Sequence, residues 1–369
     1  MSPRKLPLDL EEEILFRVPP RSLVRFRSVC KGWDTLFNDK IFANRNFAFG
    51  RPEILLKTHT HMYSISVDLN NDDPTIKVTD LRFVALRDRR RYDLVGTCDG
   101  YFFLYNSDHK GVNVNVVSNP WLRQTKWITP GGTQHGKILG YDGSSPEKSF
   151  KSFGMMNTRQ NIYKITRKVA VFEFATNAWN VTHRTTPRFL EEEILVDEYH
   201  CRLIQTGHQY FIRMFDFSKE VAKTFCILPF KGKHSSSHTR GLAIYKGDRL
   251  SVLQQCTRRR EVKIWVTEKK IGNGDNGEDV VWIKFMTISI PHFPMVCNNS
   301  SSSYFVDDTV FGKTFVTCFL GKKPKQAWVY IVMGDMCKKI KIEEVTHQQF
   351  QSCVYVPSLI PKIFLRDFR

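Results

Sequence analysis

The chain changes period once. Through residues 1–48 apolar side chains recur at helical spacing, and from about Gly50 they come in short runs cut by turn residues. Leu10, Ile14 and Leu15 share one helical face. Asp9 is placed to cap that helix, with Glu12 three residues on as a capping-box partner. Glu11, Glu12 and Glu13 put negative charge in the first turn, where the helix dipole favours it. Pro19-Pro20 ends the helix, because proline lacks an amide donor and restricts the residue before it. Pro20 is also suited to open a second helix through Leu23 and Phe26. Val29, Trp33, Leu36 and Phe37 then form one stripe of a third, running to about Asn38. Asp39 ahead of Ile41, Phe42 and Phe47 marks a weaker fourth.

The remainder reads as strands. Runs rich in Val, Ile, Phe and Tyr fall at residues 53–57, 62–67, 93–98, 101–105, 112–117, 169–174, 210–215, 242–245, 250–253, 262–266, 280–285, 314–319, 327–332 and 351–356. Breakers such as Asp99-Gly100, Asn119-Pro120, Gly131-Gly132 and Lys246-Gly247-Asp248 separate them. The candidate strands number in the low to mid twenties. That is long for one sandwich and suits a propeller of roughly six four-stranded blades. Internal repetition is faint: Val171–Trp179 and Phe215–Glu220 each place an aromatic-acid-aromatic strand before a turn. The predicted fold is therefore mainly β with a small α N-terminal module, divided into residues 1–48 and 49–369.

A helical unit of this size sits near the lower limit for a self-sufficient core. Either it packs on the β body as a cap, or it leaves an apolar face for a partner. Leu6-Pro7-x-Asp9-Leu10, Glu13-Ile14-Leu15, Arg17-Val18-Pro19, Ser22-Leu23, Arg25-Phe26-Arg27, Val29-Cys30-Lys31 and Trp33 resemble the plant F-box. The departures are Val18, where leucine is more usual, and Gly32 inside the third helix. The resemblance implies a three-helix module that binds the Skp-type adaptor of SCF (Skp–cullin–F-box) ubiquitin ligases, and through it a cullin. It further implies that Leu6, Pro7, Leu10, Ile14, Leu15, Leu23, Val29, Cys30 and Trp33 form the module's core or its adaptor face. Thr97–Gly100, residues 116–124, Gly140-Tyr141-Asp142, Val171–Trp179, Phe215-Asp216-Phe217, Asp248–Ser251 and Ile264-Trp265-Val266 are similar to the plant F-box-associated, kelch-like domain. That likeness implies a β-propeller-like body that binds a protein substrate. An irregular stretch to Thr158 is expected after Gly140-Tyr141-Asp142.

Composition narrows the alternatives. Hydrophobic residues make up 41% and aromatics 13%, which argues for a folded chain. No apolar run is long enough for a membrane span, and the acidic opening does not read as a signal peptide. Nine scattered cysteines form no Cys-x-x-Cys pair, the pattern of reduced thiols in cytoplasm or nucleus. The net charge is +18, and the first 48 residues, with nine Lys/Arg and six Asp/Glu, hold little of it. Basic clusters at Arg87–Arg91, Arg258–Arg260, Lys322–Lys325 and Lys338–Lys341 therefore raise a second reading, a basic propeller binding nucleic acid or an acidic protein. Most of these clusters fall at expected turns, where charge is simply solvated.

Other candidate chemistry is thin. Gly272–Gly277 spells Gly-x-Gly-x-x-Gly, but no helix opens after it, so a surface loop is expected, not a dinucleotide site. His59/His61 and His234/His238 have ligand-like offsets without companions, and no metal or cofactor is expected. Trp121, Trp127, Trp179, Trp265, Trp282 and Trp328 suit blade packing. No protease, hydrolase or nucleotide-binding motif is present, and a non-catalytic substrate receptor is the expected class.

Overall fold

The computed structural model describes residues 6–39, 41–43, 46, 50–70, 73–83, 92–106, 114–128, 134–142, 149–161, 164–185, 200–206, 209–231, 238–246, 249–271, 277–296, 303–310, 312–321, 326–346 and 350–359. Three helices come first: α1 (Leu8–Leu15), α2 (Pro20–Phe26) and α3 (Lys31–Asn38). Residues 41–43 are again helical, and the Asp39 carboxylate accepts the Phe42 amide at 2.9 Å, the cap expected there. Phe47 lies outside the described residues.

Among the described residues, all other regular structure is antiparallel sheet apart from one 3-10 turn. The first sheet runs β23 (Gln351–Tyr355), β1 (Glu53–Lys57), β2 (Met62–Asp68), β3 (Thr75–Asp80). The second is β4 (Tyr92–Cys98), β5 (Tyr101–Asn106), β6 (Asn115–Asn119), β7 (Gln124–Ile128). The third is β8 (Gln134–Asp142), β9 (Ser149–Asn161), β10 (Lys164–Glu173), β11 (Ala178–Thr185). The fourth shows three strands among the described residues, β12 (His200–Thr206), β13 (Gln209–Asp216) and β14 (Val221–Lys231). The fifth is β15 (His238–Tyr245), β16 (Arg249–Cys256), β17 (Val262–Thr267), β18 (Trp282–Ile288). The sixth is β19 (Ser303–Asp307), β20 (Thr314–Leu320), β21 (Gln326–Met333), β22 (Met336–Thr346).

These sheets form a β-propeller. Six apolar clusters fill the six gaps between successive sheets, from Leu55, Met62 and Phe102 between the first and second to Ile54, Val316 and Ile331 between the sixth and first. The last strand closes the ring on the first, with Glu53 opposite Tyr355 and Lys57 opposite Gln351. That pairing joins the two ends of the body and occupies an otherwise open strand edge.

The faint repeat is a turn. Asn119 accepts the Trp121 and Leu122 amides at 3.0 and 3.2 Å, and Asp216 accepts the Ser218 and Lys219 amides at 3.0 Å each. Each turn then ends on a left-handed residue, Arg123 (φ 54°) or Glu220 (φ 53°), and Asn177 (φ 54°) ends the matching turn after Glu173. A side-chain acceptor holding its own turn is why an acid or amide stands at that position.

Three expectations need correction. The stretch to Thr158 is not irregular, because residues 149–161 form β9. Its residues 150–153 are all buried, with Phe150 facing the second sheet's cluster and Phe153 the fourth's. A strand covered on both faces loses the period-2 alternation that would reveal it. Asp9 does not cap α1: the cap lies two residues earlier, at Pro7, whose carbonyl takes the Leu10 and Glu11 amides at 3.1 Å each. Finally, Lys338–Lys341 lies within β22 and not at a turn.

Candidate partner-docking surface

The helical module holds itself together with few side chains. Leu15, Phe16, Leu23, Phe37 and Phe42 are buried in one cluster, with Val18, Val24, Phe26, Trp33 and Leu36 around it. Trp33 stacks near Phe26 (5.6 Å between centroids), and its indole N–H donates to Glu11, tying α3 to α1. Cys30 caps α3, its sulfur accepting the Trp33 amide at 3.4 Å. Asn46 is buried and donates to the Phe16 and Val18 carbonyls at 2.7 and 2.8 Å, satisfying groups left over where α1 ends.

The β body completes this core. Leu359, fully buried, belongs to the helical cluster, and Leu122 packs against it. The segment leading to Leu359 lies on the second sheet: the Asn119 amide donates to the Ser358 carbonyl at 3.0 Å. Gly100, at φ +79°, lies so close that a Cβ there would fall 2.4 Å from that of Ser358. Arg21 donates to Thr79 of β3 at 2.8 Å. A polar chain lies beneath: Trp121 donates to the Tyr355 hydroxyl at 3.3 Å, Tyr355 to the Ser64 hydroxyl at 2.7 Å, and Ser64 to Glu53. Burial pushes the Glu53 carboxyl above its ordinary value, against the lowering pull of the Ser64 hydrogen bond, the Arg21 charge and the Tyr355 hydroxyl. Burial first, then the Glu53 charge, sets the Tyr355 phenol well above its usual range.

The expected site residues separate into two groups. Leu15 and Leu23 are core, at 3% and 0% exposure. Trp33 is half-buried, and Leu6, Pro7, Leu10, Ile14, Val29 and Cys30 face outward. Leu8, which the sequence pattern did not single out, and Ile41, expected only as part of a fourth helix, are exposed too. Of ten large hydrophobic side chains exposed among the described residues, six (Leu6, Leu8, Leu10, Ile14, Val29 and Ile41) belong to this short module, so its outer surface is unusually apolar. Leu10 and Ile14, four residues apart on α1, are neighbours within it.

Two family matches fix the family. The chain matches the F-box domain over residues 4–44 and the F-box associated beta propeller domain over residues 53–362. It belongs to the F-box proteins. A putative F-box protein of Arabidopsis thaliana, At1g58090, is 57% identical, with 98% of this chain and 99% of that protein covered. The Arabidopsis protein SUPPRESSOR OF NIM1 1 is 37% identical (96% and 98% covered). A third, the putative F-box protein At3g16590, is 40% identical (97% and 99% covered).

Elsewhere this F-box protein offers little for chemistry. Among the described residues no three His, Cys, Asp or Glu side chains converge as metal ligands would, and no helix is long and apolar enough to cross a membrane. Of the glycine-rich motif, residues 272–276 lie outside the described residues; Gly277 opens the 3-10 turn ahead of β18. His59 sits in the β1–β2 turn, and His234 lies outside the described residues. Burial pushes the Cys226 thiol up to about 12, leaving it protonated at neutral pH. Of the tryptophans expected to pack blades, Trp127 is instead 46% exposed on the outer strand β7.

Proposed function

We propose that this protein is the substrate-recognition subunit of an SCF-type ubiquitin ligase. The module seats Leu6, Leu8, Leu10, Ile14, Val29 and Ile41 on a Skp-type adaptor, which joins it to a cullin, and the propeller holds a protein substrate. Its contribution is proximity: tethering raises the effective concentration of substrate beside the ubiquitin-charged enzyme, and this chain performs no chemistry. Its place of action is the cytoplasm, the nucleus or both. The observation that supports the reading is the uncovered apolar surface of a module whose core is already complete without it.

The structure also chooses the test. Deleting the module would strip the cover from Leu122 and Leu359, so loss of binding would be ambiguous. Leu10→Lys combined with Ile14→Lys alters only exposed positions. Co-purification of a Skp-type adaptor with the parent chain and its loss in this double variant, at unchanged thermal stability, is the expected result. Equal recovery of adaptor by both chains would sink the proposal.

A further inference from the structure

The two ends of the propeller treat charge differently. Each four-stranded sheet runs outward as a meander, so the turns after its first and third strands share one end of the ring; the β13–β14 turn of the fourth sheet lies at that end too, where Ser218 donates to Asp142. The turns after second strands, and the passages between sheets, share the other. The turn carrying Leu122 and the Ser358–Leu359 segment place the helical module at the first of these, the near end.

Three near-end lysines are paired across neighbouring sheets, and Lys219 at the same end is exposed. Lys151 meets Asp142 of its own sheet at 3.7 Å and Glu220 of the next at 3.1 Å. Lys246 meets Asp308 at 2.8 Å, and Lys338 meets Asp73. The far end differs. Arg258, Arg259 and Arg260 form the β16–β17 turn, with Arg258 and Arg259 exposed, and no carboxylate pairs with any of the three among the described residues. The turn's one acid, Glu261, is taken by Lys263 at 3.3 Å. Arg240, stacked 3.8 Å over the Tyr210 ring, adds another cation nearby. The imidazole of His238 senses this field: burial first, then Arg240 and Lys263, pull it below its ordinary value.

Topology extends the asymmetry. The passage from β3 to β4, which contains Arg87–Arg91, and the β20–β21 turn, which contains Lys322–Lys325, start and finish on strands whose ends lie at this same far end. Both clusters lie outside the described residues, so the face is argued from Arg258–Arg260 alone.

We infer that the far end of the propeller, centred on Arg258, Arg259 and Arg260, docks an acidic segment of a protein. Charge complementarity selects the occupant: unpaired arginines are costless to keep in water and gain most from carboxylates, which they bind in a forked geometry. A nucleic-acid groove would add stacking platforms. The exposed aromatic Trp127 belongs to the second sheet, three places round the ring from the fifth, which carries the arginines. Placing the site opposite the helical module leaves both surfaces free at once. That the bound protein is a ubiquitination substrate rests on the receptor role proposed above; the docking itself does not.

The test uses the full chain co-expressed with a Skp-type adaptor. Fluorescence anisotropy reads binding of a labelled polyglutamate peptide to the parent, to Arg258→Glu with Arg259→Glu, and to Lys219→Glu, an exposed near-end reversal. The expected result is binding to the parent that weakens with salt, falls about tenfold or more in the double arginine variant and is unchanged in the lysine variant. No binding to the parent, or equal affinity in all three, overturns the inference. Tighter, more steeply salt-dependent binding of an oligodeoxythymidylate of matched charge also overturns it, in favour of nucleic acid. Adaptor recovery from the same preparations is read separately: its absence would remove the receptor role and leave the peptide result to stand.

Discussion

Leu359→Ala is expected to loosen helices at the opposite end of the sequence. Leu359 is fully buried in the helical cluster, beside only five other buried side chains, Leu15, Phe16, Leu23, Phe37 and Phe42. Truncating a core leucine typically costs about 2–5 kcal/mol through lost transfer energy and the cavity left behind. A core of this size supports a module stability of only about 3–5 kcal/mol. A loss near 3 kcal/mol would raise the open population of α1–α3 roughly a hundredfold. Hydrogen exchange followed by mass spectrometry reads this directly. Peptides from α1–α3 should exchange about a hundred times faster, while β5 and β20, buried between sheets, should keep their protection. Adaptor affinity should fall only by the fraction of molecules opened. Unchanged exchange in the helices would show that Leu359 is a passenger. Equal loss of protection in the strands would show that helices and ring unfold as one unit. Either result refutes the reasoning.

Three further perturbations follow from the geometry. Replacing Leu10 and Ile14 with lysine should weaken adaptor binding by about 2–3 kcal/mol, since each half-exposed side chain offers roughly 1–1.5 kcal/mol of burial, and calorimetric titration measures it. Gly277→Ala would set a Cβ 1.5 Å from the Phe225 carbonyl oxygen on β14, and a lower urea midpoint equivalent to about 1–3 kcal/mol is expected. Glu53 titrates above its ordinary 4.5, so between that value and its raised one the folded chain keeps a proton the unfolded chain has lost. Stability contributed by this group therefore falls as pH rises through that window. Glu53→Gln keeps an acceptor for Ser64, and its advantage over the parent in urea midpoint should grow from pH 4.5 towards neutrality; a difference that does not vary with pH would contradict the assignment.

Much of the molecule was written locally. The apolar spacing of Leu23 and Phe26 and the double proline before them specify α2, because proline's missing donor and fixed φ act on nearest neighbours alone. Strands such as Glu53–Lys57, a short apolar run, and Val262–Thr267, which alternates, are equally legible, for such patterns and turn residues need no distant partner. The F-box pattern itself belongs to this class.

Other properties depend on what lies across space. Periodicity marks Leu10, Ile14, Leu15 and Leu23 alike as apolar; only packing shows that the last two are covered and the first two bare. Leu359 joins the helical core from beyond the last strand, and Asn46 from well past the end of α1, and no local rule connects either to it. The pairing of Lys151 with Glu220, and the want among the described residues of such a partner at Arg258 and Arg259, likewise follow from which strands adjoin and which turns share an end. Sequence thus determined the elements and the family, because conformational preference is a short-range property. Burial and charge pairing were left to the tertiary structure, because both are set by neighbours that the ring alone brings together.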